Sequence, residues 1–401
     1  MGGNRDEYTS GMLSEELHSR LEELSQIETF KKEAFVQSVE WLATDRQKAS
    51  LEERINSLML VLSVLANKYE PGLIDLQLME SVSKSFLTAR SEMEAVIALQ
   101  LFTVCLSQLD ADHKDYDQGH ELVTLFLPKL AKKIIDGNGP PSLLSQMVTG
   151  YSMIEFIMNH GGGGFNVEQI CEHLFSTAES TTKDQGVLTA AALMGCGLIL
   201  TLGKDVDTIV EEFEPTMIPY FETNDLEVRI AAAKLVGLFY EKYQLKQLDP
   251  EPLLDVLSEL ITESARKFGK KDQHKRKSVL RDVLSTIRVY TGEAASHSHI
   301  TRFNLSKQRS IAITTWADLI IIQHLKWLYG PGLHTQLANN PFVTGLFLTE
   351  EGESTIEQEA NEEDDWEDTQ DLIRTVDRRK KRLEKVEALG LLGDAGVHNS
   401  L

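Results

Sequence analysis

The chain is poor in cysteine and proline and has no long uninterrupted hydrophobic run. Its three cysteines, Cys105, Cys171 and Cys196, stand far apart in apolar helical segments. That spacing excludes a disulfide framework and a zinc site built on paired cysteines, and it predicts buried thiols in a reducing compartment. Ten prolines in 401 residues, with Leu, Ala, Glu and Lys abundant and runs of β-branched residues scarce, predict an all-α chain without strands. The longest apolar stretches are broken by polar residues at helical period, so no bilayer-crossing segment and no membrane partner is expected. The opening MGGNRDEYTS lacks the apolar centre of a signal peptide, and Asp6 stands where an N-myristoylation motif requires Ser or Thr. A cytoplasmic protein is expected, with the nucleus as a second compartment.

Catalytic signatures are missing too. His113, His120, His160, His173 and His274 are scattered, with no HExxH, no paired metal-ligand spacing and no nucleophile motif around them. Cys171 and His173 lie two apart on a helix and so point to different faces. The glycine run 161–164 follows no strand and precedes no Lys-Ser pair, which makes it a connection and not a phosphate loop. No catalytic residue, metal ligand, cofactor or small-molecule substrate is predicted, and the chain reads as a protein that presents surfaces.

What is present is acid, and one conspicuous exception to it. A formal charge of −22 means that the bulk surface repels nucleic acid, so any such binding must come from local patches. Residues 266–281, RKFGKKDQHKRKSVLR, hold Arg266, Lys267, Lys270, Lys271, Lys275, Arg276, Lys277 and Arg281 with a single acid, Asp272. Gly269 and the consecutive lysines predict an exposed loop over the first half, leading into a helix at 278–290 whose Val279, Leu280, Val283, Leu284 and Ile287 recur at helical spacing. Cations at a helix N-terminus oppose the helix dipole and leave a surface that attracts anions, phosphate above all.

The remaining pattern is helical throughout. Ser50 with Glu53 and Ser91 with Glu94 have capping-box spacing. The apolar helix MEAVIALQLFTVCLSQL at 93–109 reads as the buried inner member of a helical pair. Further helices are predicted at 119–136, 142–160, 167–177, 185–202, 206–221, 226–243 and 251–265, and one long helix centred on Trp316. The segment DLEVRIAAAKL at 225–235 looks like the second-helix pattern of HEAT and armadillo repeats, and DQGV–AAAL at 184–193 resembles it 41 residues earlier, within the period of such repeats. An irregular α-solenoid is expected over 12–265, behind a flexible N-terminus at 1–11.

The combination KKDQHKRKSVLRDVLSTI, then Ile313 and Trp316 opening a helix with Gln323 and Leu325, then GPGLHTQLANNPFVTGLF, resembles the C-terminal domain of the interferon-related developmental regulator family. The upstream helices suit that family's armadillo-like region. The resemblance implies a family C-terminal helical domain at 266–348, in which Trp316, Leu333, Asn340 and Phe347 are core or turn residues that hold the basic helix in place. Twelve acids and no Lys or Arg at 350–371 predict a disordered tether at 349–371 carrying Trp366. A basic helix and tail follow at 372–401, with Arg378, Arg379, Lys380, Lys381 and Arg382 in the helix and a narrow Leu383, Val386, Leu389 stripe; so marginal a helix orders on a partner.

A branch of this family is associated with translationally inactive ribosomes through a C-terminal helix in the mRNA and tRNA path. The resemblance therefore implies the ribosome as partner, both rRNA and ribosomal proteins. The candidate RNA-binding residues are Lys267, Lys270, Lys271, Lys275, Arg276, Lys277, Arg281 and Arg378 to Arg382. The alternative, also attributed to members of the family, is a nuclear scaffold that binds transcription co-regulators in its groove.

Overall fold

The computed structural model describes residues 32–44, 50–109, 112–160, 166–181, 184–203, 206–243, 245, 249–262, 270–293, 301–306, 309–347 and 356–358. Of residues 32, 33, 208, 270–277, 301–312 and 356–358 only the backbone is described. The described residues up to Glu357 form one compact unit. The predicted tether is described only at 356–358, where a short strand stands in place of the expected disorder; the rest of it, Trp366, the terminal helix with Arg378, Arg379, Lys380, Lys381 and Arg382, Lys267 and the glycine run lie outside the described residues.

Helices α1 (Lys32–Ala43), α2 (Leu51–Asn67), α3 (Leu76–Leu87) and α4 (Glu92–Leu106) open the structure. Ser50 and Glu53 close a full capping box on α2, with Ser50 N–H to Glu53 at 2.8 Å and Glu53 N–H to Ser50 Oγ at 3.1 Å. At α4 the box is only half made. Ser91 accepts from Glu94 N–H at 3.1 Å, but the Glu94 carboxylate turns instead to Arg90 N–H (2.7 Å) and to the buried Arg54 guanidinium (3.5 Å). The chain continues through α5 (Tyr116–Ile135), α6 (Pro141–Asn159), α7 (Val167–Glu179) and α8 (Gly186–Leu200). The helix expected at 206–221 is divided into α9 (Asp207–Phe213), a 3₁₀ turn (Glu214–Met217) and α10 (Ile218–Glu222). Pro215 and Pro219 remove backbone donors there, and each is the second residue of a new short element. Then come α11 (Leu226–Lys242), α12 (Glu251–Thr262) and α13 (Lys270–Tyr290).

These helices stack in pairs. One row, α2, α4, α6, α8, α11 and α13, has each member against the next, and the other row, α1, α3, α5, α7, α10 and α12, covers it from one side. This is the expected α-solenoid, and α8 and α11, the two helices matched 41 residues apart, are neighbours in the inner row. Asp225 caps α11, accepting from Glu227 N–H at 2.9 Å and Val228 N–H at 3.1 Å. The matching Asp184 stands one residue before the N-cap of α8, which is Gln185. Glycine is needed at position 186 because the Asp225 carboxylate occupies the space that a Cβ would take.

The segment after α13 departs from the sequence expectation. Instead of one helix centred on Trp316, the chain forms an antiparallel pair, β1 (Thr301–Ser306) and β2 (Arg309–Ile313), with Thr301 opposite Ile313, and a later three-residue strand, β3 (Ile356–Gln358). Alternation at Phe303, Leu305, Ile311 and Ile313 around a polar turn was the signal for the pair. Trp316 is the first residue of α14 (Trp316–Tyr329), which is followed by a Gly330–Gly332 turn, α15 (Leu333–Asn339) and α16 (Pro341–Gly345).

Together α14 to α16 form a strap across the free side of the inner row. Trp316 packs where Gly237 of α11 leaves room for its ring, Trp327 Nε1 donates to Gln146 of α6 at 2.6 Å, and Gln100 of α4 donates to Trp327 O at 2.8 Å. At the far end Gln336 donates to Leu65 O (2.8 Å) and Ala66 O (3.0 Å) of α2, while Tyr329 donates to Ser107 Oγ at 2.7 Å. The inner helices are thus covered on both sides, which is why α4 and α8 are apolar all round. One hydrophobic core runs from Phe35 to Phe347.

Glu241 fastens the start of the strap. Its carboxylate accepts from Trp316 N–H (2.7 Å) and Ala317 N–H (3.4 Å) at the N-terminus of α14. Burial pushes it up from 4.5 to about 7, against those two donors, with the neighbouring Asp318 carboxylate adding to the rise. On acidification the folded protein takes up this proton near neutrality, whereas the unfolded chain takes it up only near 4.5. Stability therefore rises as the pH falls from above 7 towards 4.5 and gains no more from this group below that. Denaturant midpoints measured across that window should flatten in Glu241→Gln relative to the parent protein. An unchanged pH slope would show that Glu241 does not titrate there.

Candidate nucleic-acid interface

The basic cluster does not precede a helix; it is part of one. Helix α13 begins at Lys270, so Lys270, Lys271, Lys275, Arg276 and Lys277 occupy its first two turns where a loop was expected. Lys, Arg and Gln are good helix formers, and the glycine that breaks the pattern, Gly269, lies one residue upstream of the start. The four residues Lys270, Lys277, Arg281 and Arg288 share one helical register, spaced 7, 4 and 7 residues apart. Arg281 and Arg288 are exposed. Arg276 falls instead in the register of Leu280, Val283 and Ile287, the face buried against the solenoid. Arg288 was missed because it follows the dense part of the run, although its seven-residue interval from Arg281 was readable.

The packed face fixes the helix firmly. Leu280, Val283, Leu284 and Ile287 are buried against α11 and α12. Trp316 Nε1 donates to Thr286 Oγ1 at 2.8 Å, so the strap holds the basic helix directly. Tyr240 meets the Tyr290 ring edge-on at 5.3 Å and donates to Glu214 at 2.7 Å. Burial of Glu214 raises its carboxyl above the usual range, and the Tyr240 hydroxyl counters that. Asp282 is raised by burial too, while Ser278 and the Arg281 guanidinium pull it down. Leu333, Asn340 and Phe347 are buried as expected, but they serve the other end of the strap. Asn340 donates to Ser107 O at 3.2 Å and Gln336 Oε1 at 3.0 Å, and it accepts from Phe342 N–H at 3.0 Å.

The surroundings sharpen the contrast of charge. The outer helices α7, α9, α10 and α12 contain no Lys or Arg, while Glu168, Glu172, Glu212, Glu222, Asp255 and Glu259 on them are exposed. Phosphate is repelled by that face and drawn to α13 at the end of the stack. The described residues give no comparable case for a reaction centre. A cleft between α8, α11 and α14 is walled mainly by Ala190, Met194, Ala231 and Trp327, and its cation, Lys234, donates to Gln323 at 2.9 Å. Cys171 and Cys196, distant in sequence, are neighbours in the core, and burial holds the Cys196 thiol well above its usual range. Among the described residues no three His, Cys, Asp or Glu side chains converge on a possible metal site, and no helix is long and apolar enough to cross a membrane.

Comparison with known proteins accords with this architecture. A family model described as interferon-related developmental regulator matches residues 6–288. Interferon-related developmental regulator 2 of Mus musculus is 24% identical over 323 residues, covering 76% of this chain and 70% of that protein. Interferon-related developmental regulator 1 of Sus scrofa and of Homo sapiens are each 22% identical over 246 residues, covering 57% of this chain and 53%, about half, of those proteins. The family match takes in the solenoid and nearly all of α13; the hairpin and the strap lie beyond it.

Proposed function

The chain belongs to the interferon-related developmental regulator family, and on that premise we propose that it is a non-enzymatic ribosome-binding factor that associates with translationally inactive ribosomes and represses translation. In this reading α13 lies against rRNA phosphates, and the terminal basic residues Arg378, Arg379, Lys380, Lys381 and Arg382 enter the mRNA and tRNA path. The observation that carries it is a cationic helix anchored by Thr286 and Trp316 at one end of an otherwise acidic body. Affinity would come from counterion release, with little readout of bases. A scaffold that holds co-regulators in the solenoid groove is less favoured, because the strap α14 to α16 already lies along the inner row.

The test is co-sedimentation with purified ribosomal subunits over a salt series. Replacing Lys270, Lys271, Lys275, Lys277 and Arg281 with glutamine should lower the slope of log affinity against log salt by roughly 3 to 4 units, at nearly one unit per phosphate contact. An unchanged slope, or a cargo that follows chromatin proteins and ignores RNA removal, would overturn the proposal.

A further inference from the structure

The structure shows a cationic region larger than the run that α13 begins with. Between residues 266 and 313 there are twelve Lys or Arg and three acids, and of the later cations Arg288 stands on α13, Arg302 on β1 and Arg309 on β2. Arg288 is exposed in the register of Arg281 and pairs only across 4.0 Å with the equally exposed Glu293, an exposed contact worth little that a phosphate can replace. Along the helix, Lys270 and Arg288 are about 27 Å apart, so the register spans most of α13.

The hairpin extends from the same corner. Ile313, its last residue, is buried, and Trp316 three residues later bonds to Thr286 of α13. Arg302 stands opposite Ala312 in the ladder, and at most about 14 Å of chain separates Ala312 from Trp316. The base of the hairpin is therefore tied by a short length of chain to the residue that bonds the last turns of α13, where Arg288 is. Arg309 stands opposite Ser306 at the other end of the ladder, and β2 runs beside α14 and β1 beside α15. The hairpin thus carries positive charge from the end of α13 towards the strap.

We infer that Arg288, Arg302 and Arg309 form a second phosphate-binding arm, so that RNA is held by α13 and the hairpin together over the junction at Trp316. The inference rests on the proposed rRNA contact and names the part of the chain that completes it. Two contacts converging from a helix and a β-ribbon fix the orientation of an RNA backbone, which a single cationic helix does not.

The full-length protein with Arg288→Gln, Arg302→Gln and Arg309→Gln should bind purified ribosomal subunits about tenfold more weakly at fixed salt, with the salt slope lowered by roughly 2 to 3 units. The variant with lysine at the same three positions should keep most of the slope, which separates charge from any damage to the hairpin. If the glutamine variant binds like the parent while the α13 variant loses its slope, the second arm is wrong and ribosome binding through α13 stands. If neither variant changes binding, the ribosome reading falls and this inference falls with it. Equal loss in the lysine and glutamine variants would also overturn it, since the hairpin would then act through its shape alone.

Discussion

Glu94→Ala is expected to lower the folding free energy by about 3–5 kcal/mol, the usual cost of leaving one partner of a buried ion pair uncompensated. Arg54 is 2% exposed and Glu94 0%. The Arg54 guanidinium also donates to Ser85 Oγ at 2.8 Å, while Glu94 receives Arg90 N–H at 2.7 Å. The pair therefore joins α2, α3 and the start of α4 at one point. Ser85 is neutral and supplies no opposing charge in place of the Glu94 carboxylate. Glu94→Gln keeps an acceptor for Arg90 but removes the charge, so it should fall between the parent and the alanine variant. The double change Arg54→Met with Glu94→Leu should recover most of the loss, because no unpaired ion remains in the core. Equilibrium denaturation of the four proteins measures this, and a double variant as unstable as Glu94→Ala would show that the pair matters through packing and not through charge.

Gly332→Ala should cost about 3 kcal/mol, at the upper end of what overpacking does. The backbone at Gly332 has φ −75, open to any residue, so the cost is not conformational. It is steric: an added Cβ would run into Ala66 O, Ala66 C and Asn67 N of α2, backbone atoms that cannot swing aside. Gly330, with φ 50, needs glycine for the other reason, since a side chain is strained in that conformation. The Ala66 contact sits beside the Gln336 bonds to Leu65 O and Ala66 O, so pushing it apart should loosen the far end of the strap first. Hydrogen exchange should accelerate over 330–347, with α6 to α8 and the Trp316 junction nearly unchanged, and ribosome binding through α13 should survive. Wild-type stability in this variant would mean that α2 and the turn can separate without loss.

Much of the frame is legible in residues taken one element at a time. The Ser50 and Glu53 box, the Asp225 cap and the apolar girdle of the helix holding Cys105 all have local causes, and each occurs where local chemistry places it. The errors share a physical origin. Residues 270–277 have helix-forming side chains, but consecutive like charges resemble a loop in sequence; packing of Leu280, Val283 and Ile287 on α11 and α12 supplies the stability that their repulsion removes. Residues 301–313 alternate only weakly, and pairing with a partner strand decides their form. In the candidate interface the run up to Arg281 was visible as composition, whereas the place of Arg288 in the register of Arg281 emerged only once the helix was seen to run from Lys270 to Tyr290.

By itself the sequence determined that the chain is helical, that its helices pair and repeat, and that its positive charge is concentrated in a few short stretches. These follow from periodicity, caps and composition, which act over a few residues. Only the tertiary structure decided that α14 to α16 return along the inner row and that Trp316, which closely follows the hairpin, bonds to Thr286 of the basic helix. Those contacts join residues tens to hundreds of positions apart. They exist because inner helices such as α4 and α8, apolar all round, need a second cover to keep water from their free face.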